Sequence, residues 1–183
     1  MSNNRGFKSC KDCEGYAHCK CLSRFRVSSC PKGPTVPQNG LEPPVLIPVY
    51  GSLSSALFSG IQPVINTNVD FSVIGPFSGT TPNITDDSIT VNSQGIYTLS
   101  FSTDIAINNP EGLSSSVVFI ITKNGIPNFT IQLVYATRIS AADTLSRTDQ
   151  LMLNQGDVIR VFIGNANGDV TYSNATLVVT KVA

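Results

Sequence analysis

The chain has 183 residues, 41% hydrophobic and 13% charged, with 14 Gly and 11 Pro, a composition ordinary for a soluble protein. That length suits one domain plus a tail, and a core of about 150 residues buries roughly 70% of its unfolded surface, enough to stand without cross-links. No run of 18 apolar residues occurs, so no membrane-spanning helix is expected, and the formal net charge of zero excludes a globally basic protein, although that zero is the sum of two opposed parts.

Residues 1–30 are basic and cysteine-rich. Residues 1–32 hold seven Lys/Arg (Arg5, Lys8, Lys11, Lys20, Arg24, Arg26, Lys32) against Asp12 and Glu14, a net of +5, while the remainder holds five basic and ten acidic residues, a net of −5. Basic arms often serve nucleic acid. Here the cysteines offer a competing use, and opposed signs on tail and body attract each other between copies, so no nucleic-acid partner is expected.

All five cysteines and the single histidine lie in this zone, in CKDCEGYAHCKC at Cys10–Cys21 and at Cys30, spaced C-x2-C-x5-C-x-C-x8-C. A structural zinc site takes four ligands, as C-x2–4-C pairs or Cys with His. Cys10, Cys13, His18 and Cys19 or Cys21 would supply them. A C-x-C pair chelates tetrahedrally less well than C-x2-C, and Cys30 is left over. An odd count favours at least one intermolecular bond. Cys10, Cys13, Cys19, Cys21 and Cys30 are therefore read first as candidates for intermolecular disulfides, with zinc as the alternative and no other cofactor expected. The opening MSNNRGFKSC is polar and lacks an apolar h-region, so no secretory signal is read there. That conflicts with disulfides, because cytosolic thiols usually stay reduced.

Residues 31–49, PKGPTVPQNGLEPPVLIPV, hold six prolines and two glycines and read as a semi-rigid extended linker. The apolar second half cannot sit inside a sheet. It suits a groove, on its own domain or on a neighbour's, with Val45, Leu46, Ile47, Val49 and Tyr50 as the docking candidates.

From residue 50 to 183 the pattern becomes period-2 alternation with β-branched enrichment and turn signals. Expected strands cover 50–59, 69–74, 88–92, 95–108, 115–123, 126–139, 142–153, 158–163 and 170–182. Gly95–Asn108 alternates well, with Tyr97, Leu99, Phe101 and Thr103 on one face and Ile96, Thr98, Ser100 and Ser102 on the other. Asn124–Gly125 is the strongest short hairpin signal, since both central residues of a type I′ turn need positive φ. No window offers an amphipathic helix. About ten short strands predict an all-β protein, an antiparallel jelly-roll β-sandwich.

GIYTLSF at Gly95–Phe101, KNG at Lys123–Gly125, LNQGDVIRV at Leu153–Val161 and NATLVVTKV at Asn174–Val182 resemble, in order and spacing, the globular head of the tumour-necrosis-factor and complement-type superfamily. The likeness covers roughly residues 50–183. It implies a homotrimer of jelly rolls about a three-fold axis. More narrowly, the low-charge, Ser/Thr/Asn-rich body resembles the heads of Bacillus spore-surface proteins, the collagen-like exosporium glycoproteins and the endospore appendage subunits. KGPTVPQNG has no G-x-y repeat, so a collagen stalk is excluded. This resemblance implies a spore-surface location and synthesis in the mother-cell cytoplasm without a signal peptide. Thiols would then stay reduced during synthesis and oxidise after lysis, which resolves the conflict above.

Residues 50–183 contain no Cys, His or Trp, so a serine nucleophile has no histidine base. No phosphate loop or dinucleotide fingerprint occurs, and an enzyme is not expected. Asp86–Asp87 could bind calcium, against the plainer reading as turn residues. Phe119, Ile121, Leu133, Tyr135, Val161, Ile163, Leu177 and Val179 belong either to the sandwich core or to the trimer axis. Two readings of function remain. In one, trimers stack head to tail into a fibre through arms locked by disulfides, the partners being copies of the chain and other spore-surface proteins. In the other, a trimeric head binds a ligand or anchors a fibre without polymerising.

Overall fold

In the computed structural model the described residues are 47–55, 60–109 and 111–183. They form ten strands: β1 Tyr50–Ser54, β2 Val73–Ile74, β3 Thr80–Asn83, β4 Ser88–Val91, β5 Gly95–Ile107, β6 Ser115–Lys123, β7 Ile126–Thr137, β8 Ala141–Leu153, β9 Val158–Asn167 and β10 Val170–Lys181. Every pairing is antiparallel, in two five-stranded sheets ordered β2-β1-β10-β5-β8 and β3-β4-β9-β6-β7. None of the described residues is helical.

The alternation in the sequence decides which face is buried. Along β5 the inward residues Tyr97, Leu99, Phe101, Thr103, Ile105 and Ile107 are buried, and the intervening ones are not. Phe119, Ile121, Leu133, Val161, Ile163, Leu177 and Val179 are likewise buried inside the sandwich of a single chain, and Tyr135 packs against them half-buried. This assigns those residues to the monomer core rather than to an axis between copies. Phe119 bridges the sheets: its ring stands 5.6 Å from Phe101 and 5.7 Å, edge-on, from Tyr172, separations at which aromatic pairs attract.

The expected strands return with shifted ends, and two regions differ. The span 69–74 pairs as a strand only at Val73–Ile74; before it, Val69 N donates to Val161 O (2.8 Å) and Phe71 N to the Asp87 carboxylate (2.9 Å). The added strand is β3, TTPN, paired from Thr80↔Val91 to Asn83↔Ser88. It lies at the edge of its sheet, where a proline removes no interior ladder bond. In β10 the register against β5 slips between Ser173 and Thr176. Asn174 there takes φ 51°, and the buried Thr103 hydroxyl donates to Ser173 O (2.9 Å).

Candidate interaction surfaces

The four segments that carry the family resemblance do structural work. Asn124 and Gly125 both have positive φ (54° and 76°), as a type I′ turn requires. The LNQGD turn is stapled to that hairpin. Asp157, 7% exposed, accepts from Lys123 Nζ (2.7 Å), Asn124 Nδ2 (2.7 Å) and its own turn's Asn154 N (2.7 Å). Asn124 returns the tie by accepting from Val158 N (2.8 Å). Burial raises the Asp157 carboxyl, but Lys123 and the Asn154 and Asn124 N–H donors outweigh it and hold it below the usual range. Tyr97 is fully buried, and its hydroxyl donates to Ser93 O (2.8 Å). Gly95 lies where any Cβ would strike the carbonyl of Ala183 and the Lys181 side chain.

The outward face of the first sheet is a field of small hydroxyls. Strand registers bring Ser52 and Ser54, Thr176 and Thr180, Thr98, Ser100 and Ser102, and Thr144, Ser146 and Thr148 side by side. Ser100 and Thr148 hydroxyls meet at 3.0 Å. The charge on this face is Asp104, whose carboxylate accepts from Asn174 Nδ2 and Thr144 Oγ1 (both 2.7 Å) and is thereby held below the usual range. Long charged side chains, which blunt sheet surfaces against association, are missing among the described residues of this face.

The sandwich has two distinct ends. At one, β1 begins and β10 finishes, Tyr50 pairing with Thr180, and the turns at 124–125 and 154–157 lie there. This is where the N-terminal segment joins the body. At the other end β5 runs out beside the starts of β8 and β10 (Ile107↔Ala141, Ile107↔Val170). Asp104, Glu111, Asp143 and Asp169 lie at this end. They line two shallow clefts of about 400 and 270 Å³, Asp104 with Asp143 and Glu111 with Asp169. The ion pairs among the described residues are Lys123–Asp157, Arg147–Asp149 and Arg160–Asp86, and none of them neutralises those four carboxylates.

Of the docking candidates, Tyr50 opens β1 and Val49 packs against the core, so both belong to the body. Ile47 is 73% exposed, and Val45 and Leu46 lie outside the described residues. So do Cys10, Cys13, His18, Cys19, Cys21 and Cys30. Asp86 and Asp87 are engaged structurally. Asp86 pairs with Arg160 and accepts from Ser88 Oγ (3.1 Å). Asp87, at φ 48°, receives Phe71 N, and burial raises its carboxyl. These uses replace the calcium reading.

A fold of this kind occurs in known proteins. The chain is similar to Eiger TNF from S. frugiperda (16% identity, 74% of this chain and 93% of that one, TM-score 0.54) and to the globular domain of the zebrafish complement 1qA protein (15% identity, 75% of this chain and 98% of that one, TM-score 0.52). The fold is the TNF-like jelly roll. No family model matches the chain, and no curated protein matches it. Within the TNF-like jelly roll the G-x-Y strand, the N-G hairpin and the L-x-x-G-D turn are thus explained by packing, turn geometry and a buried carboxylate. What sequence reading missed is the segregation of charge between the two ends, because residues 104, 111, 143 and 169 converge only through the strand register.

Proposed function

We propose that the chain is the structural subunit of a spore-surface appendage fibre, in which jelly-roll bodies form homotrimers, trimers stack head to tail, and the N-terminal arms are joined by intermolecular disulfides. The similarity to TNF and complement domains supports a trimeric head and, at the level of the fold, a protein that is not an enzyme. The spore setting rests on the resemblance of the body to spore-surface heads.

The observation that carries the stacking is the polarity of charge. An arm of net +5 joins one end of the body, and four carboxylates that enter no ion pair among the described residues, those of Asp104, Glu111, Asp143 and Asp169, line clefts at the other. Complementary patches at opposite ends make a heterologous contact, which builds an open filament when its rotation does not close. Residues 31–183 contain no cysteine, so any disulfide joins arm to arm and none joins arm to body. The hydroxyl face, whose one charge is Asp104, is the surface suited to lie between copies within a trimer.

Gel electrophoresis in SDS without and with reductant tests the cross-linking. A ladder extending beyond the trimer that collapses to a single chain on reduction is expected. Identical migration in both lanes would contradict it. A discrete trimer that never polymerises would favour the second reading, a ligand-binding or anchoring head.

A further inference from the structure

We propose that the apolar strip Val45–Ile47 of one copy seats in the groove between the start of β7 and the end of β8 on a neighbouring copy of the same chain. The inference rests on the assembly proposed above and adds the contact that clasps neighbours within one layer.

The groove encloses about 480 Å³ and is lined chiefly by Ile126, Pro127, Phe129 and Leu151, with Lys123 as its charged member. That volume falls within the range of working binding sites, about 300–1,000 Å³. It arises from a bulge. Between Ile120 and Thr122 of β6 the partner on β7 jumps from Gln132 to Pro127, so β7 carries surplus residues there. They close on themselves: Asn128 Oδ1 accepts from Thr130 N (3.2 Å) and Thr130 Oγ1 (2.6 Å), while Arg147 Nη2 donates to Thr130 O (3.1 Å). The bulge leaves Phe129 67% exposed, and Ile126, paired with Lys123 beside the N-G turn, is 72% exposed. β7 and β8 are also the terminal strands of their sheets, so no strand among the described residues covers this side.

Four observations select the occupant. Ile47 is itself 73% exposed only three residues before β1, so its own body leaves its apolar surface uncovered. Pro43, Pro44 and Pro48 bracket it in the sequence, and residues without an amide donor suit an apolar groove better than a sheet interior. Glu42 is the sole charge in residues 33–49, so residues 43–49 are uncharged, as suits a groove whose one charged member, Lys123, is already paired with Asp157. Reach then favours a neighbour. Tyr50, Thr180, Thr98 and Gln150 stand on four successive strands, about 14 Å across. Val45 lies five residues before Tyr50, at most about 17 Å of taut chain. In its own molecule the strip would have to cross the whole sheet end fully stretched; in a neighbour's groove it need not.

The test places a photoreactive benzoylphenylalanine at position 129 of the full chain, a substitution its exposure tolerates. Assemblies made from equal amounts of ¹⁴N- and ¹⁵N-labelled chains are irradiated, and cross-linked peptides are read by mass spectrometry. Expected are mixed-isotope pairs joining residue 129 to residues 41–48, and their loss with Ile47→Asp. Cross-links from residue 129 only to other segments, or only within one chain, overturn the inference while leaving the assembly standing. Sedimentation of the unmodified chain as a monomer overturns both.

Discussion

Asp157 is the side chain on which the near end of the sandwich depends most. It is buried and receives three donors from two different turns, so removing it strands donors that have lost water. Asp157→Ala should cost about 2–3 kcal/mol of unfolding free energy. Lys123→Ala, whose ammonium is partly exposed, should cost under about 1 kcal/mol. Urea denaturation measures both. The pH dependence has a definite sign. A carboxyl held low in the folded state stabilises above its unfolded value of about 4 and loses that contribution as pH falls further. Asp157 and Asp104 are both held low, so the urea midpoint should drop below about pH 4, and drop less in Asp157→Ala. Asp87 works in the opposite sense, its raised carboxyl opposing folding at neutral pH and relaxing on acidification. Thr122 gives a different case. Its hydroxyl is buried without a hydrogen-bond partner, so Thr122→Val, which keeps the shape and removes the unmet group, should raise stability by up to about 1 kcal/mol.

Strands were legible where one face is buried and one is not. β5 shows this best, since its inward residues alternate without a break. The N-G signal before β7 was legible because only positive φ at both positions fits that turn. The short edge β3 was not, because Thr-Pro-Asn satisfies turn rules as well as edge-strand rules. The stretch 69–71 was misread as strand because its apolar residues are buried as loop anchors against β9, and burial of that kind leaves the same alternation in the sequence. The hydroxyl face was visible as Ser/Thr-rich alternation, but which hydroxyls lie side by side needed the registers of four strands. It yields a separable prediction. Ser100→Arg, in the middle of that face, should change monomer stability by no more than about 0.5 kcal/mol, since the long side chain can reach water. It should abolish the trimer as read by sedimentation velocity. A trimer that survives this substitution would move the interface elsewhere.

Charge is segregated along the body, and the function proposed above builds on that segregation. The cationic, cysteine-bearing segment precedes β1 in the sequence, and Asp104, Glu111, Asp143 and Asp169, in no ion pair among the described residues, lie at the end of the sandwich away from the start of β1. In the sequence the acids are scattered, and only the antiparallel order β10-β5-β8 brings Asp104, Asp143 and Asp169 together. The arm's chemistry, by contrast, was legible at once, because all five cysteines sit within its first 30 residues. An attraction of this kind between exposed charges weakens as salt shortens its range to about 8 Å at physiological ionic strength. Assembly before oxidation should therefore slow in salt, as light scattering under reducing conditions would record. Electron microscopy of the full chain beside a chain lacking residues 1–30 bears most directly on the fibre. Long fibres from the full chain and only discrete particles from the shortened one are expected; fibres of equal length from both would contradict the arm as connector.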